Sequence, residues 1–136
     1  MAETPSPRIQ AFEHALQRLM EALAKPEDSI VRDACIQRFE FTFEMAWKAI
    51  QESALAEGVE CSSPRESFRV AFRLGLVGRD PRRMAMVEDR NRTSHTYDEE
   101  VAQTIYRVLP EYAELLRRLL AKLREAEQRR AEESAG

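Results

Sequence analysis

The residues best suited to chemistry lie in one dense polar run, Asp89 to Tyr97. Within it, Arg90 carries a permanently charged guanidinium whose fork matches phosphate oxygens. His95 is one of two histidines in the chain, and an imidazole can accept or release a proton near neutral pH. The pair suits reaction at a phosphodiester, in which Arg90 holds the phosphate and His95 is base or acid for the ribose 2′-hydroxyl. Asn91 could orient either side chain.

The spacing of Arg90 and His95 requires a change in the helix between them. On one continuous α-helix, side chains five residues apart point about 140° away from each other. A helix end between the two would let both face one concavity. The same run also fits a helix C-terminus, a polar loop and an N-cap, with Thr96 or Asp98 capping the next helix. The residues alone leave both interpretations open.

Start and stop signals divide the chain into five helical segments. Serine or aspartate before proline marks three starts, at Ser6-Pro7, Ser63-Pro64 and Asp80-Pro81. Gly58 and Gly75 can supply the left-handed conformation that ends two helices. The helices predicted from these signals and from apolar spacing are 7–24, 29–57, 64–74, 81–90 and a last one from about 98 to beyond 123.

These segments predict an all-α fold, an up-and-down bundle of four or five helices in a single domain over residues 1–136. Only four glycines and scattered β-branched residues argue against an all-β fold. Pro110 predicts a kink or a break in the last helix. The charged sequence after Leu123 predicts a frayed tail over about 124–136.

The second helix has apolar side chains on more than one face. Phe39 and Phe43 belong to its main apolar stripe, whereas Phe41 and Met45 lie outside that stripe. A helix that is apolar on more than one face must be covered on more than one side. We therefore expect the chain to form a homodimer through this helix.

The net charge of the chain and its distribution limit the classes of function that the protein can have. The chain carries 21 Lys and Arg against 24 Asp and Glu, a net charge of −3, which argues against coating nucleic acid by bulk charge. A local basic site is still allowed, because eight arginines and four acids lie between positions 65 and 92. Arg65, Arg69 and Arg73 recur every four residues, as either a phosphate-facing stripe or a solvated face.

The sequence lacks the signals that mark several other classes of functional site. Cys35 and Cys61 form neither metal-ligand spacing nor a disulfide framework, so we expect no metal, no cofactor and a reduced, cytoplasmic setting. No apolar run approaches the roughly 18 residues that a membrane span needs. Neither a glycine-rich phosphate loop nor a nucleophile elbow is present.

Two segments resemble the nucleotidyltransferase substrate-binding protein family, which belongs to the HEPN superfamily. They are Arg38–Lys48, with the sequence RFEFTFEMAWK, and Arg90–Tyr97, with the sequence RNRTSHTY. Ser63–Glu66 and Ala71–Leu76 lie between them in the expected order, and the resemblance covers about residues 8–123. One departure is Arg82-Arg83-Met84, where an aromatic residue is expected shortly before the motif.

The resemblance implies a helical bundle that dimerises and associates with a minimal nucleotidyltransferase. In HepT-like toxins of this kind, the motif arginine and histidine form a metal-independent ribonuclease site built across the dimer. It therefore implies that Arg90 binds the phosphate and His95 is the acid–base, with Asn91 as a supporting polar neighbour. The antitoxin of such pairs silences the toxin by transferring AMP to the motif tyrosine, which is Tyr97 here.

Three hypotheses cover these observations. The first is a HepT-like toxin, a dimeric HEPN protein whose ribonuclease site at Arg90 and His95 acts on RNA and is silenced by AMPylation of Tyr97. The second is a non-enzymatic subunit that binds a nucleotide or another substrate for a two-component nucleotidyltransferase. The third is a structural helical bundle whose aromatic second helix is only an oligomer interface.

Overall fold

The structure, a computed structural model, describes residues 6–135, and within that range it contains α-helices, one short 3₁₀ helix and no strand. The 3₁₀ helix (Thr93–His95) lies between the last two α-helices. The all-α prediction is confirmed. The α-helices are α1 (Pro7–Leu23), α2 (Ser29–Ala56), α3 (Pro64–Arg73), α4 (Arg82–Arg92) and α5 (Glu99–Ala135).

Local capping chemistry sets most helix ends where the sequence predicts them. The Ser6 hydroxyl accepts hydrogen bonds from the first free amides of α1. The Ser63 hydroxyl accepts one from the amide of Glu66 at 3.1 Å. Gly58 and Gly75 have φ angles of 81° and 77°, which glycine adopts without strain. These ends therefore follow from residues within one turn of each boundary.

The core lies where α1, α2 and α5 pack against one another, and α3 and α4 cover one side of it. The ring of Phe43 on α2 stacks on that of Phe68 on α3, with centroids 5.5 Å apart. Phe39, one turn earlier, stacks on Tyr112 of α5 at 5.8 Å. Aromatic side chains of α2 thus hold α3 and α5 to the same helix.

The helix α5 is longer than the sequence predicts. It runs unbroken through Pro110, whose side chain is exposed, so the ring displaces no core residue. The prediction of a frayed tail over 124–136 is wrong for residues 124–135, which are helical. Ala126 is buried there, and Arg130 lies 3.3 Å from Glu57 at the end of α2. Gly136 lies outside the described residues. Contacts with distant parts of the chain therefore hold the charged end of α5 in helical form.

The helix α4 is fixed at its start by arginine contacts. Arg82 pairs with Asp80 at 2.7 Å and with Glu111 of α5 at 3.3 Å. The guanidinium of Arg83 lies over the ring of Phe72, with its central carbon 4.6 Å from the ring centroid. Cation–π and ionic contacts therefore orient α4 at the position where the family resemblance leads us to expect an aromatic residue.

The outer face of α2 remains partly apolar in the single chain. The Phe41 side chain is 58% exposed, whereas Met45 is half-buried against the core. A lone exposed aromatic side chain is common on monomeric and oligomeric proteins alike. The homodimer stays a prediction. Within residues 6–135, no helix has the length and apolarity required to cross a membrane.

Candidate functional site

Arg90 lies in the last turn of α4, and its side chain is half-buried and directed to α2. Its Nη2 is 4.0 Å from Glu44 Oε2. Glu44 in turn accepts a hydrogen bond from Trp47 Nε1 at 3.1 Å and faces Lys48 Nζ at 3.4 Å. Arg90 Nε is enclosed and has no hydrogen-bond partner among residues 6–135. The two segments that carry the family resemblance therefore meet at this ion pair.

His95 is the last residue of the 3₁₀ helix, and its side chain is exposed. Its ring meets the ring of Tyr97 edge-on, with centroids 6.0 Å apart and an interplanar angle of 69°. Tyr97 is 86% exposed. The structure thus brings the motif imidazole and the motif tyrosine together at the surface.

The backbone between Arg90 and His95 changes from α-helical to 3₁₀ geometry after Arg92. The Thr93 hydroxyl donates to the carbonyl of Arg90 at 2.7 Å and reinforces this turn. Asp98, one of the two caps that the sequence offers, accepts from amides in the first turn of α5. The predicted helix end between the two candidate residues is therefore present.

The described contacts of Arg90 and His95 are separate. Within residues 6–135, the Arg90 side chain pairs with Glu44 and the Arg90 carbonyl accepts from the Thr93 hydroxyl, while no hydrogen bond joins Arg90 to His95. Asn91 is exposed, and its carbonyl accepts a hydrogen bond from Ser94. Joint action of Arg90 and His95 on one phosphate thus stays a prediction.

A partly buried contact next to the site was not predicted from the sequence. The hydroxyl of Tyr112, on α5, donates to the carboxylate of Asp89, the residue before Arg90. Burial and this hydrogen bond raise the pKa of Tyr112. Asp89 also faces Arg92 at 3.2 Å. The contact anchors the last turn of α4 to α5, and so it fixes the backbone that carries Arg90.

Glu44 was also missed as a site residue. Its position three residues before Trp47 and four before Lys48 predicts contacts along one helix face, and both exist. The spacing along α2 does not predict the contact of Glu44 with Arg90, which is 46 positions away along the chain. Only the packing of α4 on α2 reveals that contact.

Within residues 6–135, Arg90 and His95 belong neither to a metal-binding cluster nor to the cavity between α3, α4 and α5. In the part of the chain that the structure describes, no group of three or more His, Cys, Asp or Glu side chains is arranged to hold a metal ion. A cavity of about 740 Å³ opens between α3, α4 and α5, and neither candidate residue lines it. His14, the other histidine, is exposed on α1.

Comparison with known proteins places this architecture in a family. The family described as "Nucleotidyltransferase substrate binding protein like" matches residues 7–125. A Haemophilus influenzae protein named "Probable ribonuclease HepT" is 32% identical over 111 residues, which are 75% of this chain and 76% of that protein.

Two solved structures share the fold. A Thermus thermophilus protein is 43% identical with a TM-score of 0.78, over 83% of this chain and 98% of its own. A Haemophilus influenzae protein, described as revealing the fold of a substrate binding domain of a nucleotidyltransferase, is 25% identical with a TM-score of 0.77, over 85% and 98%. The chain belongs to the nucleotidyltransferase substrate-binding protein family.

Proposed function

We propose that this protein is a HepT-like ribonuclease of the HEPN superfamily, in which Arg90 and His95 act on RNA and a minimal nucleotidyltransferase is the partner and antitoxin. Family membership and the similarity to a protein named "Probable ribonuclease HepT" support the general function. The observation that carries the site assignment is the change from α4 to the 3₁₀ helix between the two residues, which leaves His95 open to solvent.

The proposed reaction uses the 2′-hydroxyl of RNA as the nucleophile. His95 accepts the proton of that hydroxyl as the 2′-oxygen bonds to phosphorus. The bond from phosphorus to the 5′-oxygen of the next nucleotide breaks, and that oxygen takes up a proton. The products are a 2′,3′-cyclic phosphate and a 5′-hydroxyl. Arg90 stabilises the negative charge that builds on the phosphate oxygens.

Glu44 places a negative charge 4.0 Å from Arg90 before substrate binds. Its carboxylate is held by Trp47 and Lys48 on the same helix, so it offers a fixed anion to the guanidinium. Arg90 still has donors to spare, because a guanidinium has five N–H groups and the described contact uses Nη2. A phosphate can therefore bind Arg90 without displacing Glu44.

Cleavage of single-stranded RNA in the presence of EDTA tests the assignment. We expect His95→Ala and Arg90→Ala each to lower the rate at least about 100-fold, the typical scale for loss of a general acid–base or an oxyanion contact. His14→Ala is the matched control, because it removes the other exposed histidine, and it should retain the wild-type rate. Equal rates in all four proteins would refute the catalytic roles.

Tyr97 is the proposed AMP acceptor. Its hydroxyl is on an 86% exposed side chain beside His95, so an AMP group there would lie at the site. Incubation with ATP and the partner transferase should add about 329 Da per transfer by mass spectrometry. Tyr97→Phe should abolish the addition and Tyr106→Phe should retain it. Full modification of the Tyr97→Phe protein would place the acceptor elsewhere.

A second function, nucleotide or substrate binding without catalysis, is favoured by the description of the matched family. In this case Arg90 binds a phosphate of the ligand while Glu44 pairs with Arg90, and His95 transfers no proton. Calorimetry with nucleotides, with and without the partner transferase, distinguishes the two functions. Nucleotide binding that requires Arg90, together with no cleavage of RNA, would favour this second function over the first.

The homodimer is proposed on the exposed apolar side of α2, where Phe41 is 58% exposed. Covering this side chain would stabilise an assembly by the hydrophobic effect. Light scattering at micromolar concentration should give twice the 15.7 kDa chain mass. We expect Phe41→Glu to shift the protein to the monomer, and a wild-type monomer would refute the proposal.

A further inference from the structure

A groove lies between the end of α3, the connection to α4, the start of α4 and the middle of α5. Its volume is about 740 Å³, within the range of about 300–1,000 Å³ typical of ligand sites. Its apolar floor is formed by the half-buried side chains of Phe72, Val77 and Leu115, and buried residues such as Phe68 also line it. We refer to it as the α3–α5 groove. It differs from the Arg90 and His95 site, since neither residue lines it.

The rim of the α3–α5 groove is strongly basic in a chain whose net charge is −3. Among the described residues, Asp80 is the one carboxylate that lines it, and Asp80 is already paired with Arg82. Within residues 6–135, Arg79 and Arg83 have no ion-pair partner, unlike the cations that α5 contributes, which pair with glutamates of α5. The five cationic side chains of the rim are Arg79, Arg83, Arg117, Arg118 and Lys122.

Arg79 and Arg83 are both oriented by the ring of Phe72. Their central guanidinium carbons lie 5.8 and 4.6 Å from its centroid. Arg83 donates to the carbonyl of Gly78 at 3.2 Å, and in the part of the chain that the structure describes its Nε has no hydrogen-bond partner. Two positive charges without a carboxylate partner therefore stand at the edge of an apolar floor, an arrangement complementary to an anion with an apolar part.

The helix α4 joins this groove to the candidate site. Arg83 and Arg90 are seven residues apart, so they lie on nearly the same side of α4 and about 10.5 Å apart along its axis. A single strand of a few nucleotides can span that length, with phosphates on arginines and bases on apolar or guanidinium surfaces. The spacing and the charge both favour an RNA strand that continues from Arg90 along α4.

We propose that the α3–α5 groove is a second binding subsite for single-stranded RNA. Arg79 and Arg83 bind phosphates of the strand, and one base lies on the apolar floor. The proposal rests on the proposed function, because the strand that fills the groove is the one that reaches Arg90. It predicts that RNA affinity depends on residues that take no part in cleavage.

Binding of a fluorescent 2′-O-methyl RNA of about ten nucleotides, followed by anisotropy, tests the subsite. This probe cannot be cleaved, because its 2′-oxygens are methylated. We expect Arg79→Gln/Arg83→Gln to weaken binding about tenfold. The slope of log K against log salt is negative, and its magnitude should fall by about 1.4, since each of the two lost phosphate contacts to a single strand contributes about 0.7. Arg18→Gln, an exposed arginine of α1 that does not line the groove, is the control. A double variant that behaves like Arg18→Gln would overturn the proposal.

A second variant guards against loss of folding. Arg79 is exposed, so Arg79→Glu reverses the charge at this position of the rim and removes only the contact of Arg79 with the Phe72 ring. It should weaken RNA binding relative to wild type, because a negative charge then faces the phosphates, and unchanged affinity in a folded Arg79→Glu protein would overturn the proposal. The proposal would also be overturned if these variants lost binding to the nucleotidyltransferase but kept their affinity for RNA, because the groove would then be a protein docking surface.

Cleavage of unmodified RNA separates this proposal from the proposed function. If wild type binds the methylated RNA through the groove and cleaves no RNA, the subsite stands and the ribonuclease assignment fails. If wild type cleaves RNA and the double variant is unchanged in affinity and KM, the ribonuclease stands and the subsite is refuted. Cleavage of a dinucleotide, too short to reach the groove, should be equal in wild type and the double variant.

Discussion

Tyr112→Phe tests how firmly the last turn of α4 is held. The side chain is 3% exposed, its ring stacks on Phe39, and its hydroxyl donates to Asp89. The substitution keeps the ring and its packing but removes the donor. Asp89 immediately precedes Arg90, so the lost contact is next to the candidate site.

The expected loss of stability follows from the partners of Asp89. A hydrogen bond to a charged group contributes about 1.5–3 kcal/mol. Asp89 keeps its ion pair with Arg92, so its charge is not left unpaired, and the lower part of that range, about 1.5–2 kcal/mol, applies. With an unfolding entropy of about 2.1 cal/mol/K per residue over 136 residues, this lowers the melting temperature by about 5–7 °C.

Thermal unfolding followed by circular dichroism at one fixed protein concentration measures this shift, since an oligomer would make the melting temperature concentration-dependent. Tyr106→Phe is the matched control. Tyr106 is half-buried, and its hydroxyl has no hydrogen-bond partner within residues 6–135, so a shift below about 2 °C is expected. Equal melting temperatures for the two variants would refute the anchoring role of Tyr112. At a temperature where both are folded, Tyr112→Phe should also cleave RNA more slowly than Tyr106→Phe.

Three further changes have defined outcomes. Glu44→Gln removes the carboxylate 4.0 Å from Arg90. Steady-state cleavage should show a lower KM, because a charge that repels RNA is gone, and a several-fold lower kcat, because the guanidinium loses its ion-pair partner. Unchanged values of both KM and kcat would count against this role. Hydrogen bonds from Arg82 lower the pKa of Asp80 from its ordinary value of 3.8 to about 2. The ionised carboxylate therefore stabilises the fold fully at pH values above 3.8, and this stabilisation is lost as the pH falls to about 2. Asp80→Asn should therefore flatten the decline of stability in that window in urea titrations, and an unaltered pH profile would contradict the assignment. Leu116→Ala opens a cavity at a fully buried position and should cost about 2–5 kcal/mol by chemical denaturation, whereas a loss below about 1 kcal/mol would show that the core collapses around it.

Features set by neighbouring residues could be predicted from the sequence. The helix starts at Ser6 and Ser63 and the helix ends at Gly58 and Gly75 depend on hydrogen bonds and backbone angles within one turn. The helix end between Arg90 and His95 is likewise local. These features can be predicted because the interacting atoms belong to residues a few positions apart.

Features set by distant residues could not be predicted. The helix beyond Leu123 was expected to fray because charged residues dominate it, but Arg124 pairs with Glu13 of α1 and Ala126 is buried. The contact between Glu44 and Arg90 similarly depends on how α4 packs on α2. A single sequence shows that such charges exist, and only the fold shows which of them meet.

The exposed ring of Tyr97 has a kinetic consequence. A hydroxyl buried in a helical bundle becomes reachable only during transient opening, so the opening equilibrium would limit how fast another enzyme could act on it. Tyr97 stands outside the bundle, 86% exposed and in contact with the His95 ring. With Tyr97 as the acceptor proposed above, a transferase would find the hydroxyl accessible at every productive encounter, and the rate of modification would scale with transferase concentration and not depend on the stability of the bundle.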